Sequence, residues 1–258
     1  MANKQVSEVR VPIREEYTLP SNGNLYGKGV SPNVVLRAMT TMDEKTRLSS
    51  SGLTSVVNLL NNCVVSPENF NANELKMFDI EFLLYKLRIV TYGNIYKVRA
   101  YCDHCGKFVD IDVDLDKLEV KTVPDDFDEP FDIGKLPVSG DKIECRILSI
   151  ADSIEMAKES QKILNKYKDY EGDPSFVLSY KYMIYSVNGE ILPDFKKQAY
   201  VENMHAMDLR YLDEVYGGMA NDFGLDTLID TECPICGNPL LFELPINDEF
   251  FRPKISRG

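Results

Sequence analysis

The stretch from Val98 to Phe108, Val-Arg-Ala-Tyr-Cys-Asp-His-Cys-Gly-Lys-Phe, is a Cys-x-x-Cys knuckle with Gly106 directly behind Cys105. Such a knuckle supplies half of a tetrahedral zinc site, so two further ligands must come from elsewhere. They stand 128 positions beyond Cys105, in Thr-Glu-Cys-Pro-Ile-Cys-Gly, where Cys233 and Cys236 precede Gly237. Alternating apolar and polar residues flank the knuckles, at 95–101 and 108–115 around the first and at 240–244 after the second. A period of two marks strands. Cys102, Cys105, Cys233 and Cys236 are therefore the expected ligands of one structural Zn2+, in a composite ribbon of two β-hairpins. Four sulfurs close the coordination shell, whereas a catalytic zinc keeps a position open. A redox Cys-x-x-Cys would open a helix in a βαβ setting, and the glycine and strand that follow here argue against it. A ribbon that has lost its metal is the remaining alternative.

The long gap between the knuckles is explained by internal similarity. Leu19 and Pro20 open Leu-Pro-Ser-Asn-Gly, and Leu136 and Pro137 open Leu-Pro-Val-Ser-Gly. Next, Arg37, Met39, Thr40 and Asp43 are matched in order and spacing by Arg146, Leu148, Ser149 and Asp152. Asp79 with Leu83 is matched by Asp208 with Leu212, and Cys102 and Cys233 follow at 23 and 25 positions from the two aspartates. Five matched elements in one order predict a duplicated unit of turn, strand, capped helix, further helix, strand and knuckle. The expected fold is α+β, with two duplicated strand-helix-helix-strand units, 1–121 and 122–258, joined by the ribbon. The acidic, proline-bearing stretch 122–134 reads as the linker between them.

Local chemistry supports these elements. Thr40 and Ser149 suit helix N-caps, and Asp43 and Asp152 at the third helical position complement the positive end of the dipole. The apolar face of 74–91 predicts the longest helix, with Gly93 as its stop. Residues 150–166, 174–186 and 207–220 also read as helices, punctuated by Gly172, Asp173 and Pro174, and Asn188-Gly189 reads as a tight turn.

Composition excludes several function classes. The chain has 258 residues, 44% hydrophobic, enough for one large or two small cores. No apolar run approaches the roughly 18 residues a membrane span needs, and the start, Met-Ala-Asn-Lys-Gln-Val, does not resemble a signal peptide. A cytosolic protein with no membrane partner is expected. A net charge of -12, without a clustered basic face, opposes nucleic-acid binding. Six cysteines in this length are too few for a disulfide scaffold.

Other chemistry-bearing residues read as structural. His104, inside a knuckle, is expected at the surface, and His205 stands alone near a helix start; neither has an acid partner in sequence, so general-base chemistry is not supported. Cys63 and Cys145 read as small buried hydrophobes. Asp110, Asp112, Asp114 and Asp116 alternate with apolar residues and lack the glycine of a calcium loop, so they read as the acidic face of a strand. Tyr-Glu-Gly-Asp at 170–173 and Val-Tyr-Gly-Gly-Met at 215–219 carry glycines without phosphate-loop or dinucleotide spacing.

Together the elements resemble the baseplate proteins of contractile-tailed, T-even-like bacteriophages, a group of hub subunits and hub assembly proteins. The resemblance rests on Glu-Tyr-Thr-Leu-Pro-Ser-Asn-Gly-Asn-Leu-Tyr (16–26), on 36–48 opening a helix, on 75–98 leading into the first knuckle, on 135–152, and on Leu-Pro-Ile-Asn-Asp-Glu-Phe-Phe-Arg-Pro (244–253). It offers no catalytic residue to carry over. It implies a non-enzymatic late viral protein, either a structural component or an assembly chaperone. Such a protein would be made in the host cytoplasm, be present in the virion tail baseplate if it is a subunit, and act through contacts with other tail and hub proteins. The 14 tyrosines and 12 phenylalanines suit protein interfaces. The competing reading is a zinc-ribbon adaptor in phage transcription or replication, for which Lys97, Arg99 and Lys107 are a thin basic supply. A metallohydrolase is disfavoured by the closed sulfur shell.

Overall fold

The computed structural model describes residues 13–26, 31–49, 52–167, 172–220 and 222–252, and mixes α-helices with several small antiparallel sheets. The expectations placed on the first ten residues, on Tyr170 and Glu171, and on Pro253 lie outside the described residues.

The first half runs β1 (Arg14–Thr18), β2 (Asn33–Arg37), α1 (Thr41–Ser49), α2 (Gly52–Cys63), β3 (Val64–Ser66), α3 (Met77–Tyr92), β4 (Ile95–Cys102), β5 (Lys107–Asp114) and the short β6 (Val120–Lys121). The second runs β7 (Phe131–Lys135), β8 (Lys142–Cys145), α4 (Ile150–Lys166), α5 (Pro174–Met183), β9 (Ile184–Val187), α6 (Asp194–Glu202), α7 (Ala206–Ala220), β10 (Gly224–Leu225), β11 (Leu228–Glu232), β12 (Pro239–Glu243) and α8 (Asp248–Phe251). Sheet β1-β2-β3 and sheet β7-β8-β9 have the same strand order, hairpins β4-β5 and β11-β12 carry the two knuckles, and β6 pairs with β10 across the halves.

Side-chain contacts recur with the elements. Arg37 forms a two-pronged pair with Asp43 at 2.6 and 2.9 Å, and Arg146 does the same with Asp152 at 2.7 and 2.8 Å. Each arginine ends a strand or its extension, and each aspartate opens the next helix, so the ion pair fixes the angle between them. Ser149 makes a full capping box with Asp152. At the matching position, Thr40 gives both its backbone N–H and its hydroxyl to Asp43 at 2.7 Å.

Several expected boundaries move, each for a packing reason. The helix expected over 74–91 begins at Met77, after a 3-10 turn at Ala72–Glu74, because Lys76 is extended. The extended stretch bridges to Ser149, and Leu75 O accepts from Ile150 N at 2.9 Å. The helix expected over 174–186 stops at Met183; Ile184–Val187 instead fills the third strand beside β8, where Ile143 faces Val187. The linker expected over 122–134 ends in a strand, since Phe131–Lys135 pairs with β8. Within it Val123 is buried and donates to Pro20 O at 2.8 Å. The expected helices 150–166 and 207–220 are α4 and α7, and Asn188-Gly189 turns with positive φ at both residues.

The two cores exchange residues. Ile150, Leu244, Phe250 and Phe251, from the second half, lie in the first-half core, while Phe78 of α3 lies in the second. Phe78 approaches so closely that a Cβ at Gly224 would sit 2.9 Å from the Phe78 Cβ, and Gly224 also has φ +98, so only glycine fits. A polar latch crosses the same seam. Lys76 Nζ reaches Glu129 at 2.7 Å and Ile147 O at 2.8 Å, and Glu129 accepts the Ile147 N–H. Lys76 is nearly buried, so this pairing offsets a desolvation cost of several kcal/mol.

Candidate metal centre

Both knuckles are built the same way. Hairpin β4-β5 runs in register from Ile95↔Asp114 to Cys102↔Lys107, so Cys102 is the last residue of its strand and the turn that follows holds Cys105. Gly106 N donates back to Cys102 O at 2.9 Å, and Gly237 N donates to Cys233 O at 2.8 Å. Both glycines have positive φ, 66° and 70°. A left-handed residue there lets the chain reverse tightly enough to aim both sulfurs of the knuckle to one side.

The hairpins then face each other. Ala100, Cys102, Val109, Cys233 and Leu240 form a small core of their own, backed by Cys105, Ile111 and Phe242. This packing brings the four predicted thiols together: Cys102 Sγ lies 3.8 Å from Cys236 Sγ, Cys105 Sγ lies 4.0 Å from Cys233 Sγ, and all four sulfurs fall within 4.8 Å of one another. A tetrahedral ion with metal–sulfur bonds of about 2.3 Å needs sulfur–sulfur edges of roughly 3.8 Å. The four cysteines could hold a metal ion, and the soft thiolate set suits zinc. None of the six cysteines is in a disulfide.

The local electrostatics are uneven. The Cys236 thiol is pulled down to about 6, chiefly by the backbone N–H of Asn238, whose side-chain amide also lies 3.5 Å from the sulfur. Cys105 is pushed up to about 11, first by burial and then by its thiol neighbours. Four thiols crowded this closely need a cation before all can ionise. The Asn238 contacts are a donor that sequence reasoning missed; the asparagine one residue after a knuckle glycine was the available signal.

The remaining candidates stay apart from the centre. His104 is exposed in the first knuckle, and His205 is exposed and accepts from Met207 N at 3.1 Å at the start of α7. Cys63 and Cys145 are buried, and burial pushes both thiols up to about 12. Asp110, Asp112 and Asp116 lie on the exposed face of the strand region, and Asp114 accepts from Asn94 at 2.7 Å. An open hollow of about 270 Å³ beside α7 brings Asp208, His205 and Tyr200 together. Its carboxylates are already committed, Asp208 to the N–H groups of Val138 and Ser139 and Asp141 to Tyr200. Among the described residues, the four cysteines are the group of three or more metal-ligating side chains close enough to share an ion.

The outer face of the first hairpin speaks to the nucleic-acid alternative. Lys97 pairs with Asp112 across the strands, and Arg99 faces Asp110 and lies over the Phe108 ring. The Lys97 charge is thus paired, and Arg99 is packed on an aromatic face.

A family model described as T4 bacteriophage base plate protein matches residues 13–252. No curated protein and no solved structure matches the chain.

Proposed function

The chain belongs to the T4 bacteriophage base plate protein family, and from that premise we propose that it is a non-enzymatic part of the baseplate hub or of its assembly. A baseplate role implies contacts with other baseplate proteins. The observation that carries the reading is the family match over residues 13–252. The closed sulfur set and the committed carboxylates beside α7 support the same view.

In this reading Cys102, Cys105, Cys233 and Cys236 bind one structural Zn2+. The ion clasps two units of common ancestry, 1–121 and 122–258, through a ribbon made of one hairpin from each. The repeated strand order, the two arginine–aspartate pairs and the two knuckle turns support the duplication. Zinc would add to the exchanged core residues and the Lys76–Glu129 latch that already tie the halves. The rigid body then presents side chains such as Tyr101 and Phe108, half exposed and packed edge to face at 5.1 Å, to a protein partner.

Co-expression with the other baseplate proteins tests the reading. A salt-stable complex with hub proteins is expected. Mass spectrometry of finished particles then separates the roles, since a subunit is retained and an assembly chaperone is absent. Failure to associate with any baseplate protein contradicts both.

A further inference from the structure

The Leu-Pro turn is built twice, and only one copy is covered. In the first half Leu19 is buried and its carbonyl accepts from Asn22 N; in the second Leu136 is buried and its carbonyl accepts from Gly140 N. Gly23 and Gly140 share a positive φ, 77° and 75°. Asp79 in the first turn of α3 accepts the Ser21 N–H, and Asp208 in the first turn of α7 accepts the Val138 N–H at the matching position. The surroundings are opposite. Ser21 is 0% exposed and Val138 55%; Phe78, just ahead of Asp79, is 8% exposed and Met207, just ahead of Asp208, 56%.

The cover on the first turn is the segment 123–127. Val123 is buried and donates to Pro20 O at 2.8 Å, and Asp125 accepts from the Asn24 side-chain amide at 3.3 Å. Phe127 packs edge to face on Phe223, which packs in the same way on Phe78. At the second turn Pro137 and Val138 are exposed, and among the described residues nothing donates to Pro137 O. Beside them lies the open hollow of about 270 Å³, walled in part by Val138, Tyr200 and Met204.

One position changes the chemistry of the bare copy. The place of Asn24, five residues after the turn's leucine, is taken by Asp141 at the edge of the hollow. Its carboxylate accepts from Asn188 at 2.8 Å and from Tyr200 at 2.9 Å, and among the described residues no cation pairs with it. Where the first turn offers a donor to an acid, the second offers an acid to a donor.

We propose that the second Leu-Pro turn and its hollow are the docking site for a segment of a partner protein, built like 123–127 but with the opposite charge. The segment supplies a backbone N–H to Pro137 O, an aliphatic side chain against Val138 and Met204, and a lysine or arginine in the place of Asp125, facing Asp141. That the partner is a baseplate protein rests on the function proposed above; the recognition chemistry does not.

Two peptides test the chemistry: the chain's own 121–128 sequence, Lys-Thr-Val-Pro-Asp-Asp-Phe-Asp, and its D125K form. Each is titrated into full-length protein carrying labelled valine and methionine methyl groups. The D125K peptide should shift the Val138, Met204 and Met207 signals saturably, at about a tenth of the concentration that the natural sequence needs. D141N should remove that preference, and V138S should weaken both peptides. Unmoved signals at these three residues, equal response to the two peptides, or a preference that survives D141N overturns the proposal. Co-expression with baseplate proteins then tests the partner. The V138S/D141N chain should keep its melting temperature and lose the complex. A complex formed as by wild type overturns the proposal and leaves the baseplate reading standing; a wild type that binds no baseplate protein overturns that reading, and the titration still decides the docking chemistry. A wild-type dimer abolished in V138S/D141N would give the site to a second copy and overturn the partner.

Discussion

Asp79 and Asp208 hold the same station in the two halves, the first turn of a long helix, reaching back to the Leu-Pro turn that precedes the middle strand. Their surroundings differ. Asp79 accepts Ser21 N–H at 3.1 Å and the Tyr26 hydroxyl at 2.5 Å, and Tyr26 in turn accepts from Lys76 N. Burial dominates, and the Asp79 carboxyl is pushed above its ordinary value. At Asp208 burial works in the same direction, but the N–H groups of Val138 and Ser139, at 2.7 and 3.0 Å, outweigh it and hold the carboxyl below its ordinary value. One anchor is local to its turn. The other is a link in a chain of contacts that runs through Tyr26 to Lys76, and so to the latch between the halves.

The arginine–aspartate pairs offer the largest contrast. Arg37 spans Asp43, Asn62 O and Ala38 O, and the Asp43 side chain is 4% exposed; Arg146 pairs with an Asp152 side chain that is 19% exposed. R37A should therefore cost about 3 kcal/mol in chemical denaturation, by stranding a buried carboxylate and two carbonyls. R146A should cost about 1 to 2 kcal/mol. Equal losses would show that the halves do not differ in the way the contacts indicate. Both aspartates sit at about 2: burial works to raise them, and the arginine and cap hydrogen bonds prevail. A depressed carboxyl stabilises the fold above its unfolded value of about 3.9, and that contribution disappears as pH falls towards 2. Acid unfolding in that window should be shallower in either arginine variant.

The anchors themselves give the next contrast. An asparagine at 79 can still accept from Ser21 and can donate to the Tyr26 oxygen, whereas one at 208 turns an amide donor towards a backbone N–H. D208N should lower the melting temperature more than D79N. The pH dependence has opposite signs. Asp208 stabilises above about pH 3.9 and loses that contribution as pH falls through its folded value. Asp79, with a raised value, binds its proton more tightly when folded, so its contribution declines as pH rises above about 3.9. Carboxyl NMR titration of the two residues reads both directions.

The smallest contrast lies at the caps. Ser149 Oγ accepts from Asp152 N at 3.2 Å, completing its box, while the Thr40 hydroxyl donates to Asp43. S149A should cost about 1 kcal/mol and T40A less.

Much of this was legible because it is local or repeated. The knuckles, the arginine–aspartate spacing, the Asn188-Gly189 turn and helices α4 and α7 each follow from residues a few positions apart, and the knuckles and the arginine–aspartate spacing occur in both halves. The rest depends on contacts between distant segments. Lys76 leaves the expected helix because Ser149 and Ile150 pair with its neighbourhood, a demand invisible in residues 74–91. Ile184–Val187 becomes a strand because β8 has an open edge. Its β-branched Ile184 and Val187 just before the turn were a signal outweighed by the helical run in front. Residues 244–253 carried only the family resemblance; that Phe250 and Phe251 enter the first-half core follows from contacts between distant segments. At the cysteine cluster the four sulfurs were readable, and Asn238 was not, because an amide donor carries no spacing rule.

The central claim is that one ion joins the halves through two cysteines from each. Metal analysis of purified protein, with native mass spectrometry of the wild type and of C102S and C233S, tests it most directly. One zinc per chain is expected, lost in both variants with a matching fall in melting temperature whichever half carries the change; structural zinc sites contribute on the order of 10 kcal/mol in small domains. Metal-free wild-type protein, or a variant in one knuckle that keeps its zinc and its melting temperature, would contradict the account.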